Sequence, residues 1–135
     1  MWTVLATKEF GEWFAEDATE QARSAIYAEI ERLRVLGPLL SRPHADTLSG
    51  SAHSNMKELR VTAPGAEIRI AFAFDPDRAA ILLCAASKSG VNQHRFYKTL
   101  IAKADRLFDE HLASIASRRA KTMKNDRGRK GKRKD

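Results

Sequence analysis

Residues 57–97 read KELRVTAPGAEIRIAFAFDPDRAAILLCAASKSGVNQHRFY, and this stretch decides the fold. From Ile68 the side chains alternate, with Ile68, Ile70, Phe72 and Phe74 on one strand face and Arg69, Ala71 and Ala73 on the other. The alternation predicts a strand whose isoleucines and phenylalanines enter the core and whose Arg69 stands on the opposite face. A slip of one residue would push the guanidinium among apolar groups, so the register is strongly specified. Asp75-Pro76-Asp77-Arg78 is a turn signal, because proline presets its backbone angle and the aspartates can accept nearby amides. Ala79 to Ala86 is almost wholly apolar and predicts a central strand buried on both faces. Upstream, Lys57 to Val61 is a third strand, closed by the turn Ala63-Pro64-Gly65. Three consecutive strands joined by turns make an antiparallel sheet.

Working outward, Trp2 to Ala6 is rich in β-formers and predicts a first strand. Thr7 is placed to cap a short helix with Phe10, Trp13 and Phe14 on its inner side. Asp17 or Thr19 starts a longer helix, in which Ala22, Ile26, Ile30 and Leu33 recur every three or four residues until Gly37-Pro38 stops it. These two helices form a hairpin expected to pack on the sheet. Leu39 to Asn55 is an irregular connection; its His44, Asp46 and His53 match no compact metal-ligand spacing. Beyond the polar loop Lys88-Ser89-Gly90-Val91-Asn92, residues Phe96, Leu100, Ala104, Leu107, Phe108, Leu112 and Ile115 predict a helix of about six turns. The order of elements defines a small α+β fold.

The chain has 135 residues, a formal net charge of +7 and a single cysteine, Cys84, within a predicted buried strand. These features exclude a disulfide framework and a cysteine metal centre and favour a reducing cytoplasm. No apolar run approaches the roughly 18 residues of a membrane span, and no targeting segment is visible. The positive charge is unevenly placed. Residues 118–135 hold ten Lys/Arg and two Asp, which leaves 14 basic and 15 acidic side chains in residues 1–117. The composition therefore divides the chain into a domain over 1–117 and a basic tail over 118–135, expected to be disordered and attracted to polyanions.

Among the sequence motifs there is no zinc signature, phosphate-cradling glycine loop or nucleophile elbow. What exists is a group of cations on and around the sheet. Arg60, Arg69 and Lys88 can hold a phosphate and neutralise charge developing on it, while His94 and Tyr97 can move a proton. Such a set suits phosphodiester cleavage by the chain's own side chains, since in RNA the 2′-hydroxyl can attack the adjacent phosphate. Lys57, Arg95 and Lys98 are candidates for further RNA contacts. Glu58 and Arg60 share a strand face and can pair.

Glu58-Leu59-Arg60, Ile68 to Pro76, Lys88-Ser89-Gly90, Phe96-Tyr97, and Ala104-Asp105 with Phe108 and His111-Leu112 resemble, in that order, the phage-derived HigB-like branch of the RelE/ParE toxin superfamily. The resemblance runs from about Leu5 to Leu112. It implies a RelE-like, microbial-ribonuclease-type fold and the toxin half of a bacterial type II toxin-antitoxin pair. It further implies ribosome-dependent cleavage of messenger RNA without a metal or other cofactor, and a small helix-turn-helix antitoxin as partner. By position, Arg69 matches the middle-strand arginine that contacts the scissile phosphate, and Lys88 a second phosphate-binding cation. Tyr97 matches a tyrosine early in the last helix, and Arg60 a basic residue of the preceding strand. Where RelE carries closely spaced lysines, this chain has Lys57 and then Glu58; His94 has no secure counterpart, and the general base is left open. Two other functions fit the same chain: a ParE-like gyrase inhibitor, and a non-catalytic nucleic-acid-binding module acting through the tail.

Overall fold

The computed structural model describes residues 1–132, with side chains described through Arg127. The elements are β1 (Thr3–Ala6), α1 (Lys8–Glu16), α2 (Glu20–Leu36), a single 3-10 turn (Gly37–Leu39), β2 (Ala45–Thr47), β3 (Lys57–Ala63), β4 (Ala66–Phe74), β5 (Ala79–Ser87) and α3 (Gln93–Lys132). The sheet runs in the order β1-β5-β4-β3-β2. Strands β2 to β5 are antiparallel neighbours, while β1 lies parallel to β5, with Thr3 opposite Ala79 and Ala6 opposite Leu82. This α+β arrangement of a strand, a helical hairpin, a meander and a long last helix is consistent with the RelE-like toxin fold.

Local chemistry accounts for the boundaries. Thr7 Oγ1 accepts the Phe10 amide at 3.0 Å and donates to the Leu83 carbonyl at 2.6 Å, so one hydroxyl both caps α1 and pins it to β5. Thr19, rather than Asp17, caps α2 by accepting the Ala22 amide at 3.1 Å. Gly37 ends α2 at φ 55°. A Cβ there would overlap the Trp2 indole at Nε1, so glycine is needed for both its backbone angle and its lack of bulk. The connection expected to be irregular contains β2, which three residues of pairing with β3 define.

The sheet has two cores. Ile68, Ile70 and Phe72 face α1 and α2, packing with Phe10, Ile26 and Leu33. Ala71, Ala73, Ile81 and Leu83 face α3, packing with Phe96, Leu100, Ala104, Leu107 and Phe108. The expectation that Arg69 stands on a face away from the core is therefore corrected. That face is also covered, and Arg69 is only 5% exposed. Alternation reports which residues share a face; it does not report what lies over the face. Ala71 and Ala73 are the small side chains on which α3 can settle closely. The apolar stripe on α3 needed a surface to bury against, and the alanine side of β4 provides it.

Helix α3 is much longer than six turns. Among the residues whose side chains are described, its last buried one is Ile115, and the backbone stays helical to Lys132. Residues 118–132, expected from composition to be disordered, continue this helix with their described side chains exposed. Lysine, arginine, alanine and methionine are good helix formers, and a helix already nucleated by packing is cheap to extend. Residues 133–135 lie outside the described residues.

Candidate functional site

The turn that leads into α3 builds the site. Gly90 takes φ 73°, and Asn92 Oδ1 then accepts the Arg95 amide at 3.1 Å, capping the helix. With Phe96 and Leu100 committed to the core, the adjoining stripe of α3 (His94, Tyr97, Lys98, Ile101 and Asp105) faces outward. It forms one wall of an open cleft of about 1000 Å³. The facing wall comes from Arg42, Asp46 and residues 47–50, and the floor from Glu58 and Arg60 of β3. Lys88 closes one end. The positive end of the α3 dipole points toward the same region.

Five of the sequence candidates meet in this cleft: Arg60, Lys88, His94, Tyr97 and Lys98. His94 and Lys98 are exposed, and Arg60 and Lys88 are half-buried. The Lys88 ammonium lies 5.5 Å from the centre of the Tyr97 ring, so the cation and the phenol are held side by side. Three other candidates are elsewhere. Arg69 is buried beside the floor on β4, opposite Arg60, Lys57 pairs across from Phe72 on the α1–α2 side of the sheet, and Arg95 does not line the cleft.

Glu58 is the residue that sequence reasoning undervalued. It is 4% exposed and is the hub of a charged cluster. Its Oε1 accepts the Tyr97 hydroxyl at 3.3 Å and lies 3.4 Å from Arg60 Nε and 3.9 Å from Arg69 Nε. Among the described residues its Oε2 is buried without a hydrogen-bond partner, as is Arg69 Nε. Arg69 is held instead through Nη1, which donates to the Ile68 carbonyl at 3.0 Å and reaches Glu67 at 3.4 Å. The strand-face pairing of Glu58 and Arg60 was legible in the sequence. The burial of Glu58 under Tyr97 was not, because it depends on where α3 crosses the sheet.

Burial pushes the Tyr97 phenol above its ordinary value, and the nearby Glu58 carboxylate adds to this, with Arg69 opposing. Tyr97 therefore keeps its proton at neutral pH. The Asp46 carboxyl at the rim is held low by Arg42, which bonds it through Nη2 at 2.7 Å, with help from the Thr47 amide.

The three metal-type side chains of the 39–55 segment are dispersed into separate pairs. His44 Nδ1 lies 3.1 Å from Glu29, Asp46 bonds Arg42, and His53 Nε2 lies 2.7 Å from Asp109. The His53–Asp109 pair, with Ser51 on Asp105 and the Ala52 amide on the same carboxylate at 3.0 Å, ties this segment to α3, while strand pairing through β2 joins it to β3.

Comparison with known proteins places this geometry in a family. Residues 13–109 match the model of the phage-derived Gp49-like proteins, a span that includes most of both cores and the cleft from Arg42 to Asp105. The chain is 45% identical over 104 residues to a protein named putative toxin HigB2 from Mycobacterium tuberculosis, covering 76% of this chain and 51% of that protein. It is 40% identical over 111 residues to one named putative toxin HigB3 from the same organism, covering 82% of this chain and 94% of that protein. The chain thus spans about half the length of the first relative and nearly all of the second. No described helix is long and apolar enough to cross a membrane. With the family model matched over most of its length and the HigB-type relatives aligned across the cleft, the chain belongs to the phage-derived Gp49-like family and is HigB-like.

Proposed function

We propose that this chain is the toxin half of a type II toxin-antitoxin pair, acting in the cytoplasm by cutting messenger RNA on the ribosome. The observation that carries the reading is the cleft at the start of α3, where Arg60, Lys88 and Lys98 surround the two proton carriers His94 and Tyr97. The cations would seat the phosphates on either side of a scissile bond and offset the charge that builds on the phosphorane. The 2′-hydroxyl of the RNA is the nucleophile, so the chain must only orient it, remove its proton and supply one to the leaving oxygen. No metal is required for those tasks. The HigB names of the relatives support a toxin and, with it, a cognate antitoxin; the sequence resemblance suggests that this partner is a helix-turn-helix protein. Buried Arg69 flanks the floor from β4, helping to hold Glu58 and Tyr97 in place, rather than reaching the phosphate in this arrangement.

Primer extension on messages from cells expressing the protein briefly tests the reading, with Lys88→Ala alongside. Cuts within translated frames that disappear in the variant are expected. Intact messages with growth arrest and DNA damage would replace it with the ParE-like reading, and intact messages with normal growth with a binding module.

A further inference from the structure

The nuclease reading leaves removal of the 2′-hydroxyl proton without an agent, and a proton path through Tyr97 rests on that reading. Tyr97 faces the cleft but retains its proton, so it cannot accept another unless its own leaves. The group placed to receive it is Glu58 on the cleft floor, whose Oε1 is 3.3 Å from the phenol oxygen. Glu58 is almost sealed from solvent, and its second carboxylate oxygen has no hydrogen-bond partner among the described residues. An isolated buried carboxylate would be costly. Here Arg60 and Arg69 lie 3.4 and 3.9 Å from Oε1, the oxygen that accepts the phenol and would receive its proton, and they offset the cost of keeping the carboxylate charged until then. A carboxylate kept only for structure would be expected to have both oxygens bonded.

We propose that Glu58 is a positioning residue and proton acceptor behind Tyr97, so that the general base of cleavage is a Tyr97–Glu58 relay. The 2′-hydroxyl of the RNA gives its proton to the Tyr97 oxygen as the Tyr97 proton passes to Glu58. The 2′-oxygen forms its bond to phosphorus, the bond from phosphorus to the 5′-oxygen breaks, and that oxygen takes a proton from His94 in its cationic form. The products are a 2′,3′-cyclic phosphate and a free 5′-hydroxyl. Glu58 is left as the acid, Tyr97 unchanged and His94 neutral, and exchange with water restores the start. Arg60 from β3, Arg69 from β4 and Lys88 after β5 stabilise negative charge around the relay, while Arg42 balances Asp46 on β2. His94 and Lys98 face it from α3.

The test is single-turnover cleavage of message on programmed ribosomes from about pH 6 to about pH 9, with wild type, Glu58→Gln, Glu58→Asp, Tyr97→Phe and the Glu58→Gln/Tyr97→Phe double variant, each checked for folding by circular dichroism. At neutral pH, Glu58→Gln is expected to lose about 100-fold in rate. Its deficit relative to wild type should then shrink by about tenfold per pH unit, as phenolate forms unaided. The double variant should be no slower than Tyr97→Phe alone. A Glu58→Gln deficit that is constant across pH, or losses that multiply in the double variant, would overturn the relay and leave Glu58 a structural group. Should Glu58→Gln fail to fold, Glu58→Asp carries the test. A reduced rate with the wild-type pH profile supports the relay, and a wild-type rate from this displaced carboxylate overturns it. An active wild type with either overturning result refutes the relay alone, whereas a wild type that cuts nothing refutes the nuclease reading and the relay with it.

Discussion

His111 Nε2 lies 2.8 Å from Asp75 Oδ2, joining the middle of α3 to the turn between β4 and β5. The other oxygen of Asp75 accepts the amides of Asp77 and Ala79, each at 2.9 Å. One carboxylate thus closes the turn and anchors the helix that carries the cleft wall. Burial alone would raise the Asp75 carboxyl, but the His111 ring and the two amides outweigh it and hold the group below 3.8. The sign follows from linkage. A carboxyl whose folded value is depressed contributes stability that is present above its unfolded value of 3.8 and is lost as pH falls through the lower folded value. Asp75→Asn should therefore cost about 2 kcal/mol at neutral pH, and its difference from wild type should shrink below about pH 4. Urea titrations at neutral and acidic pH check this, and an equal difference at both would contradict it.

Arg69 and Lys88 should separate stability from chemistry. Arg69→Ala removes a buried cation from beside Glu58 and should lower stability by about 3 kcal/mol. Lys88→Ala, at the half-buried end of the cleft, should change stability by no more than about 0.5 kcal/mol while abolishing cleavage. Denaturant unfolding beside primer extension distinguishes them. A fully stable Arg69→Ala protein would mean that the guanidinium is not part of the buried cluster.

Gly37→Ala should be costly out of proportion to its size. The backbone angle there disfavours any side chain by about 1 kcal/mol, and the added methyl would overlap the Trp2 indole. A total loss of about 2 kcal/mol or more is expected in urea unfolding. Trp2 fluorescence should shift as well; an unchanged midpoint and spectrum would show that β1 and the end of α2 do not approach so closely.

We propose that the folded domain ends near residue 117. Among the described side chains Ile115 is the last buried one, and the exposed pair between Arg119 and Asp77 is a surface ion pair of small value. Truncation after Ser117 should shift the thermal midpoint by no more than about 3 °C and leave in-frame cleavage intact. Binding to single-stranded RNA should weaken and lose part of its salt dependence. Loss of cleavage on truncation would move the basic segment into the functional machinery.

Much of the architecture was written locally. The alternation in β4, the threonine caps, the turn at Asp75 and the stop at Gly37 each depend on residues within a few positions of one another, so the sequence determined every element but β2, their order and the α+β class. The same holds for the stripe of α3 that includes Tyr97 and Lys98, since helical spacing alone puts them on one side. The second core, the three-residue β2 and the parallel seat of β1 against β5 were decided by long-range packing. So was the fate of the charges. Arg69 reads in sequence as an outward cation and Glu58 as an intruder among phosphate ligands, yet both became buried partners once α3 lay across the alanine face of β4. Local periodicity fixes which side chains share a face, but solvation depends on what the remainder of the chain lays over that face, and a carboxylate or guanidinium takes its chemical role from that covering.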